Sequence, residues 1–367
     1  MKIMSVFGTR PEAIKMCPVV MEIQKRRNVE SIVCLTGQHR EMLEPVMQLF
    51  NLHEDYNLHI MRENQTLSNI TSDILQRLDD VMEREKPDMV LVHGDTSSSF
   101  AAALSAFYHH IPIGHVEAGL RTYNMQSPYP EEFNRQAVDL ITDLYFSPTA
   151  YAKKQLLDEG KAESKIYVTG NTVIDALKCT INEEYCNETL EWCEDSKMIL
   201  LTAHRRENIG KPMNNIFNAI VKIVGEFPDV KVVYPIHKNP KVREIAYHCF
   251  EGNERVRLIE PLDVYDFHNF MSRSYLILTD SGGIQEEAPA LGKPVLVLRD
   301  TTERPEGVEA GTLKVVGTET DRICEAVENI LTDQEVYSRM AKATNPYGDG
   351  LASKRIVDII EKYFREK

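Results

Sequence analysis

The feature that most constrains this chain is a series of short segments that are apolar almost throughout, where a half-exposed strand would alternate with polar residues. They lie at Ile3 to Phe7, Ser31 to Thr36, Met89 to His93, Ile113 to Glu117, Leu144 to Ser147 and Ile166 to Val168. The series resumes at Met198 to Thr202, Val230 to Ile236, Arg257 to Ile259, Tyr275 to Thr279 and Pro294 to Leu298. A strand that is apolar at every position is covered on both faces, and helix-length stretches between such strands mean parallel crossovers. The Thr169-Gly170-Asn171-Thr172 stretch separates the two series, and 367 residues exceed one ordinary core. The expectation is α/β: two Rossmann-like doubly wound domains facing across a cleft, one over 1–170 and a second over 171–352. A final amphipathic helix over 353–367, carrying Ile356, Ile359, Ile360, Tyr363 and Phe364, is expected to pack back on the first domain.

In doubly wound sheets, ligands gather outside the carboxyl ends of the strands. The residues just after the runs of the first series are Arg10 and Lys15, Gln38-His39-Arg40, Gly94-Asp95 and Glu117-Ala118-Gly119. In the second series they are Ala203 to Glu207, His237-Lys238, Asp280 to Gly283 and Arg299 to Glu306. Nearly all are polar or charged, which strand ends in a purely structural protein need not be.

The formal charge of -14 argues against a general nucleic-acid binder, which depends on dense Lys and Arg. A local cationic cleft for a small anion is compatible with an acidic exterior. No stretch approaches ~18 consecutive apolar residues, and the N-terminus reads as strand, loop and helix, so a cytoplasmic protein without a membrane segment is expected. Seven cysteines occur without a CxxC pair. Cys179, Cys186 and Cys193 recur every seven residues and read as reduced, structural side chains, and no metal site is expected.

Four motifs carry the chemistry. In GTRPEAIK, Pro11 suits the first helical position and Glu12 the positive helix end, while Arg10 and Lys15 add positive charge. The corner reads either as an anion site on exposed amides or as a capped helix with solvated charges. It is neither a Walker loop nor a GxGxxG turn, so NAD is not supported. In DSGGIQEEAPALGKP, Ser281 can cap a helix, Gly282 and Gly283 let amides approach a phosphate, and Glu286 and Glu287 suit a ribose diol. TAHRRENIG sets His204, Arg205 and Arg206 in a row, as surface charge or as partners of a diphosphate. The carboxylates Asp95, Glu117 and Glu131 could serve as acid and base, or as caps and ion-pair partners; Glu131 and Arg135 stand at i, i+4 and could pair.

Together, GTRPEAIK, TGQHR, VHGDTSS, HVEAGLRT, PEEFNR, VTGNTVIDAL, TAHRREN and DSGGIQEEAPALGKPVLVLRDTTERPEG resemble the non-hydrolysing UDP-N-acetylglucosamine 2-epimerases, in order along essentially the whole chain. The resemblance implies the GT-B-like architecture and an isomerase interconverting UDP-N-acetylglucosamine and UDP-N-acetylmannosamine. It implies catalytic Asp95, Glu117, Glu131 and His204, with Arg10, Lys15, Phe267, Ser281, Gly282, Gly283 and Glu287 binding the UDP-sugar. It further implies an allosteric UDP-N-acetylglucosamine on Gln38, His39, Gln65, Arg205 and His237, with Glu131 adjoining, although Glu41 and Asn64 depart from the family pattern there. No cofactor is expected. A homodimer and a role in polysaccharide biosynthesis are also implied.

The chemistry has a restricted route. No carbonyl lies next to the C–H bond at C2, so direct proton exchange has no stabilised carbanion. Anomeric C–O cleavage must precede or accompany C–H loss, giving UDP and a glycal that recombine with the proton on the opposite face. Hydrolysing 2-epimerases, which release N-acetylmannosamine, and a nucleotide-sugar sensor without catalysis are the competing readings.

Overall fold

In the computed structural model, residues 1–37, 40–62 and 65–367 are described, the side chains of residues 40–42 excepted. Gln38 and His39 therefore lie outside the described residues, as do Asn64 and the side chain of Glu41. The chain divides into two units, Met1–Cys179 with Tyr347–Lys367, and Thr180–Pro346.

The first unit holds the strands β1 (Lys2–Phe7), β2 (Glu30–Leu35), β3 (Tyr56–Asn57), β4 (Met89–His93), β5 (Ile113–Val116), β6 (Leu144–Ser147) and β7 (Ile166–Val168). They form one parallel sheet in the order β3-β2-β1-β4-β5-β6-β7. The second unit holds β8 (Lys197–Thr202), β9 (Val230–Pro235), β10 (Val256–Ile259), β11 (Leu276–Thr279), β12 (Val295–Val297) and β13 (Leu313–Val315). These are also parallel, in the order β10-β9-β8-β11-β12-β13. Both are doubly wound α/β sheets, as the uninterrupted apolar runs predict. β3 and β13 have no counterpart among those runs, because Tyr56-Asn57 and Leu313-Lys314-Val315 are not apolar throughout.

Apolar strands are buried because helices cover both faces. Val90 and Val92 of β4 pack with Ala101, Ala102, Ala103 and Ala106 of the helix Ser97–Tyr108, and with Ile74 and Leu78 of the helix Leu67–Glu85. Small side chains let the two helices approach each other over the sheet. In the second unit, Ile199 and Leu201 of β8 pack with Phe217 and Ile220 of the helix Lys211–Glu226.

In each sheet the chain winds outward from one strand, then returns to its other side. The order reverses between β1 and β4 in the first unit and between β8 and β11 in the second. Ligands of such sheets sit at these reversal points, where loops diverge and leave a crevice.

The first compact unit runs through Cys179 and takes up the chain again at Tyr347. The helix Thr172–Thr180 belongs to the first unit because Asp175 caps the last helix from a distance, accepting from Ala352 N at 3.1 Å and Ser353 N at 2.8 Å. Leu351, the residue preceding that helix, supplies no side-chain cap. At Gly170, with φ +92°, a Cβ would stand 3.3 Å from Gly348 Cα, and Asn171 N donates to Tyr347 O at 2.7 Å. The last helix, Ala352–Glu366, buries Ile356, Val357 and Ile360 in the first unit, and Arg26 reaches Asp358 at 2.7 Å.

Candidate functional site

The first reversal point is built on a buried carboxylate. Glu12 is 1% exposed and closes a capping box with Thr9. One carboxylate oxygen accepts from Gly8 N at 3.0 Å and Thr9 N at 2.7 Å; the other accepts from Thr96 Oγ1 at 2.7 Å and Ser99 Oγ at 2.8 Å. This decides the reading of GTRPEAIK. The amides of Gly8 and Thr9 are not open to a ligand anion, because the chain's own Glu12 already holds them. Arg10 is exposed beside them.

Lys15 turns from that helix onto Glu117, at the end of β5, and Asn171 Nδ2 donates to the same carboxylate oxygen at 3.1 Å. Glu117 adopts φ +68°, a left-handed conformation that a non-glycine residue holds only under constraint. Its side chain is 11% exposed. Burial alone would push the Glu117 carboxyl up, but Lys15 and His93 outweigh it and hold the group well below the usual carboxylate range. Glu117 is thus an anion at neutral pH, suited to face developing positive charge.

Asp95 follows β4, next to β5, and is held by Arg135, while Asn134 Nδ2 donates to its carbonyl at 2.9 Å. The pairing of Arg135 with Glu131 expected from their spacing is replaced. Arg135 pairs with Asp95 and, at 3.3 Å, with buried Glu132. Glu132 faces inward because it accepts from Thr122 N and Tyr123 N, each at 2.9 Å, and so holds the preceding loop. Glu131 begins the helix Glu131–Ile141, partly exposed. Behind these groups His115, fully buried, bridges Asp139 at 2.6 Å and the Gly94 carbonyl at 2.8 Å, and Arg121 reaches Asp139 at 2.7 Å.

The second reversal point uses a carboxylate from the adjacent strand. Asp280, after β11 and fully buried, accepts from His204 N and Arg205 N, each at 2.8 Å, and from Asn208 Nδ2 at 3.0 Å. These bonds fix the TAHRREN loop after β8. Arg205 Nε donates to the Asp280 carbonyl at 3.3 Å. The His204 ring stacks on His237, centroids 5.4 Å apart at 12°. Burial first, and then the neighbouring His204, lower the proton affinity of His237.

Ser281 N donates to Thr279 Oγ1 at 2.9 Å, and among the described residues no side chain caps the helix Ile284–Ala290, so the cap that Ser281 could supply does not form. The short turn after β11 satisfies its own first amide. A Cβ on Gly282 would lie 3.9 Å from Arg205 Nη2, from Arg304 Nη2 and from Glu303 Oε2, so two guanidinium groups and one carboxylate border the glycine turn. Glu287 lies 3.4 Å from His268 Nε2, and Phe267 stands half-buried on the same helix, Val264–Arg273. Of the residues expected at a second ligand, Gln65 donates to the Ile60 carbonyl, and Arg205 and His237 belong to the cluster just described.

Sequence reasoning missed His93, Arg135 and Asp280 as site residues. His93 was hidden as the last residue of an apolar run, Arg135 behind its helical spacing from Glu131, and Asp280 as the first residue of a glycine-rich motif. Among the described residues, no group of three or more His, Cys, Asp or Glu converges to hold a metal ion.

Each doubly wound unit ends its central strands in paired acids, histidines and cations, the place where α/β proteins of this class bind their ligands. The chain belongs to the UDP-N-acetylglucosamine 2-epimerase family, whose members are isomerases: the family model matches residues 21–361. The UDP-N-acetylglucosamine 2-epimerase of Bacillus subtilis is 59% identical over 358 residues, covering 98% of this chain and 94% of that protein. The crystal structure of the Neisseria meningitidis UDP-GlcNAc 2-epimerase bound to UDP-GlcNAc is 50% identical, with a TM-score of 0.87, over 99% of this chain and 100% of that one. That of the Methanocaldococcus jannaschii enzyme in complex with UDP-GlcNAc and UDP is 36% identical, with a TM-score of 0.78, over the same shares of the two chains.

Proposed function

We propose that this protein interconverts UDP-N-acetylglucosamine and UDP-N-acetylmannosamine without hydrolysis, by eliminating UDP to a glycal and adding it back. The observation that carries this reading is the pair of carboxylates at the ends of adjacent strands: Glu117, held ionised, and Asp95, held by Arg135. Two acids with different counterions suit removal of a proton from one sugar face and its return to the other.

In the forward direction a carboxylate takes the C2 proton, the C–H electrons form the C1–C2 double bond, and the C1–O bond breaks with its electrons leaving on UDP. Re-addition reverses these events with protonation at the opposite face. The leaving diphosphate is the charge to be stabilised. Arg205 and Arg304 beside the Ser281-Gly282-Gly283 turn, with His204, suit that role. Arg10 and Lys15 would serve the sugar end of the diphosphate, Glu131 would assist the acids, Glu287 would accept from the ribose hydroxyls, and Phe267 would lie against uracil.

A second UDP-N-acetylglucosamine as activator is part of the proposal. The stacking of His237 on His204 supports it, since a ligand at His237 would bear directly on a catalytic group. Homodimerisation through the first unit is also proposed, supported by the exposed Phe107, Tyr108 and Leu140. The cysteines are unpaired, as suits a reducing cytoplasm.

Incubation with UDP-N-acetylglucosamine in D2O, followed by NMR, tests the reaction. Deuterium at C2 of both UDP-sugars is the expected result. Free N-acetylmannosamine would indicate a hydrolase, and tight UDP-sugar binding without exchange a sensor.

A further inference from the structure

Glu117 meets its surroundings on three sides: Lys15 from the helix Arg10–Gln24, Asn171 from the turn after β7, and His93 from β4. The first two make hydrogen bonds to it. The third stops short. His93 is 4% exposed and its buried Nε2 has no hydrogen-bond partner among the described residues, although it lies 3.6 Å from Glu117 Oε2. A buried imidazole nitrogen without a partner is destabilising, so a fold that keeps one has a use for it or a state that satisfies it.

The satisfying state can be identified from the chemistry of the pair. An ionised carboxylate only accepts, so a nitrogen that bonds to it must carry the hydrogen. Closing the gap to an ordinary hydrogen bond takes well under ~1 Å, and site hydrogen bonds are often long before ligand arrives. Lys15 occupies the same oxygen, Oε2. Lys15 is also the group that a nucleotide-sugar phosphate would attract.

We propose that His93 is a positioning residue for the epimerisation that acts through Glu117, its Nε2–H taking over the Glu117 carboxylate when bound nucleotide sugar draws Lys15 away. The inference rests on the reaction proposed above. It explains why a histidine is buried at a strand end with its nitrogen idle. In the unliganded protein Lys15 makes the hydrogen bond to the anion; in the complex the imidazole makes it, so Glu117 enters the proton transfer charged and correctly directed.

The test compares His93→Phe, which keeps the ring volume and removes the donor, with His93→Gln, whose amide retains an N–H near the same place. Rates of UDP-N-acetylmannosamine formation are measured from pH 5 to 9, with UDP affinity and thermal melting as checks on folding. His93→Phe should lower kcat about 30-fold near neutral pH, with KM changed less than ~3-fold. The acid limb of kcat should move up by about one pH unit, and that of kcat/KM should move less. The reason is that kcat reports the complex, where Lys15 is withdrawn, and kcat/KM the free enzyme. His93→Gln should recover most of the loss.

A uniform drop at every pH, equal damage in both variants, or an unchanged His93→Phe would overturn the role. Should His93→Phe not fold, a His93→Gln acid limb displaced as far in kcat/KM as in kcat would do the same. Wild-type protein that forms no UDP-N-acetylmannosamine would instead sink the proposed reaction itself, so the two failures are told apart.

Discussion

The loops after β1 and β8 stand at the same place in their sheets, and each is held by one buried carboxylate that accepts two successive backbone amides. The carboxylates come from different distances. Glu12 lies three residues beyond Thr9 in the same helix start, whereas Asp280 lies 76 residues beyond His204, across the β8–β11 pairing. The first loop is therefore organised as soon as its helix nucleates. The second acquires its shape only when β11 has docked beside β8. The fate of the cations differs as well. Lys15 and Arg135 in the first unit end on carboxylates, but Arg205 is anchored on a carbonyl, so its charge is not neutralised by the group that positions it. Proton transfer profits from fixed anions, and diphosphate binding from a cation positioned by a neutral carbonyl.

The largest effects should come from removing the two scaffolding carboxylates. Glu12→Ala strands four donors and Asp280→Ala three; each should destabilise by about 3–5 kcal/mol, read by urea denaturation. An intact Glu12→Ala protein of normal stability would break the parallel between the loops. Next, Glu117→Gln should slow turnover ~10²-fold, or about 2.7 kcal/mol, while UDP binding stays within ~2-fold. Equal losses in turnover and UDP affinity would mean that the first unit does more than handle protons. Arg205→Ala should weaken UDP ~10-fold, about 1.4 kcal/mol, with a shallower salt dependence of binding by calorimetry; an unchanged affinity would erase the contrast in cations.

The smallest effect belongs to an exposed carboxylate. The hydrogen bond from Arg355 holds the Asp349 carboxyl down to about 2. Its folded value lies below the ordinary ~3.9, so its contribution is present above that value and fades as pH falls toward 2. Solvent screening limits it to ~0.5 kcal/mol. Asp349→Asn should lower the melting temperature slightly at pH 7 and not at all near pH 2.

Much of this was legible in advance. The buried strands announce themselves by apolar runs, and the ends of those runs name Asp95, Glu117, His204 and Ser281. The capping box of Thr9 and Glu12 could be read from a three-residue spacing, yet its consequence, that the Gly8 and Thr9 amides are already taken, required seeing Thr96 and Ser99 close around the other oxygen. The Glu131–Arg135 spacing was misleading because a helix offers an arginine several partners. Asp95 lies across the sheet edge and Glu132 is buried, and both are better counterions than a partly exposed glutamate. The extent of the first unit is not local either: Asp175 caps a helix that starts 177 residues further on, about half the chain away, a contact without local signature.

The sequence by itself determined eleven of the thirteen strands, the helices between them and the character of the residues at the strand ends, because periodicity and capping are local and act over a few residues. Only the tertiary structure decided which charge meets which: Lys15 with Glu117, Arg135 with Asp95, Asp280 with the loop after β8, and His93 beside an anion it does not yet touch. Those partnerships depend on the order in which parallel strands lie side by side, and electrostatic energy is set by distances that chain separation does not encode.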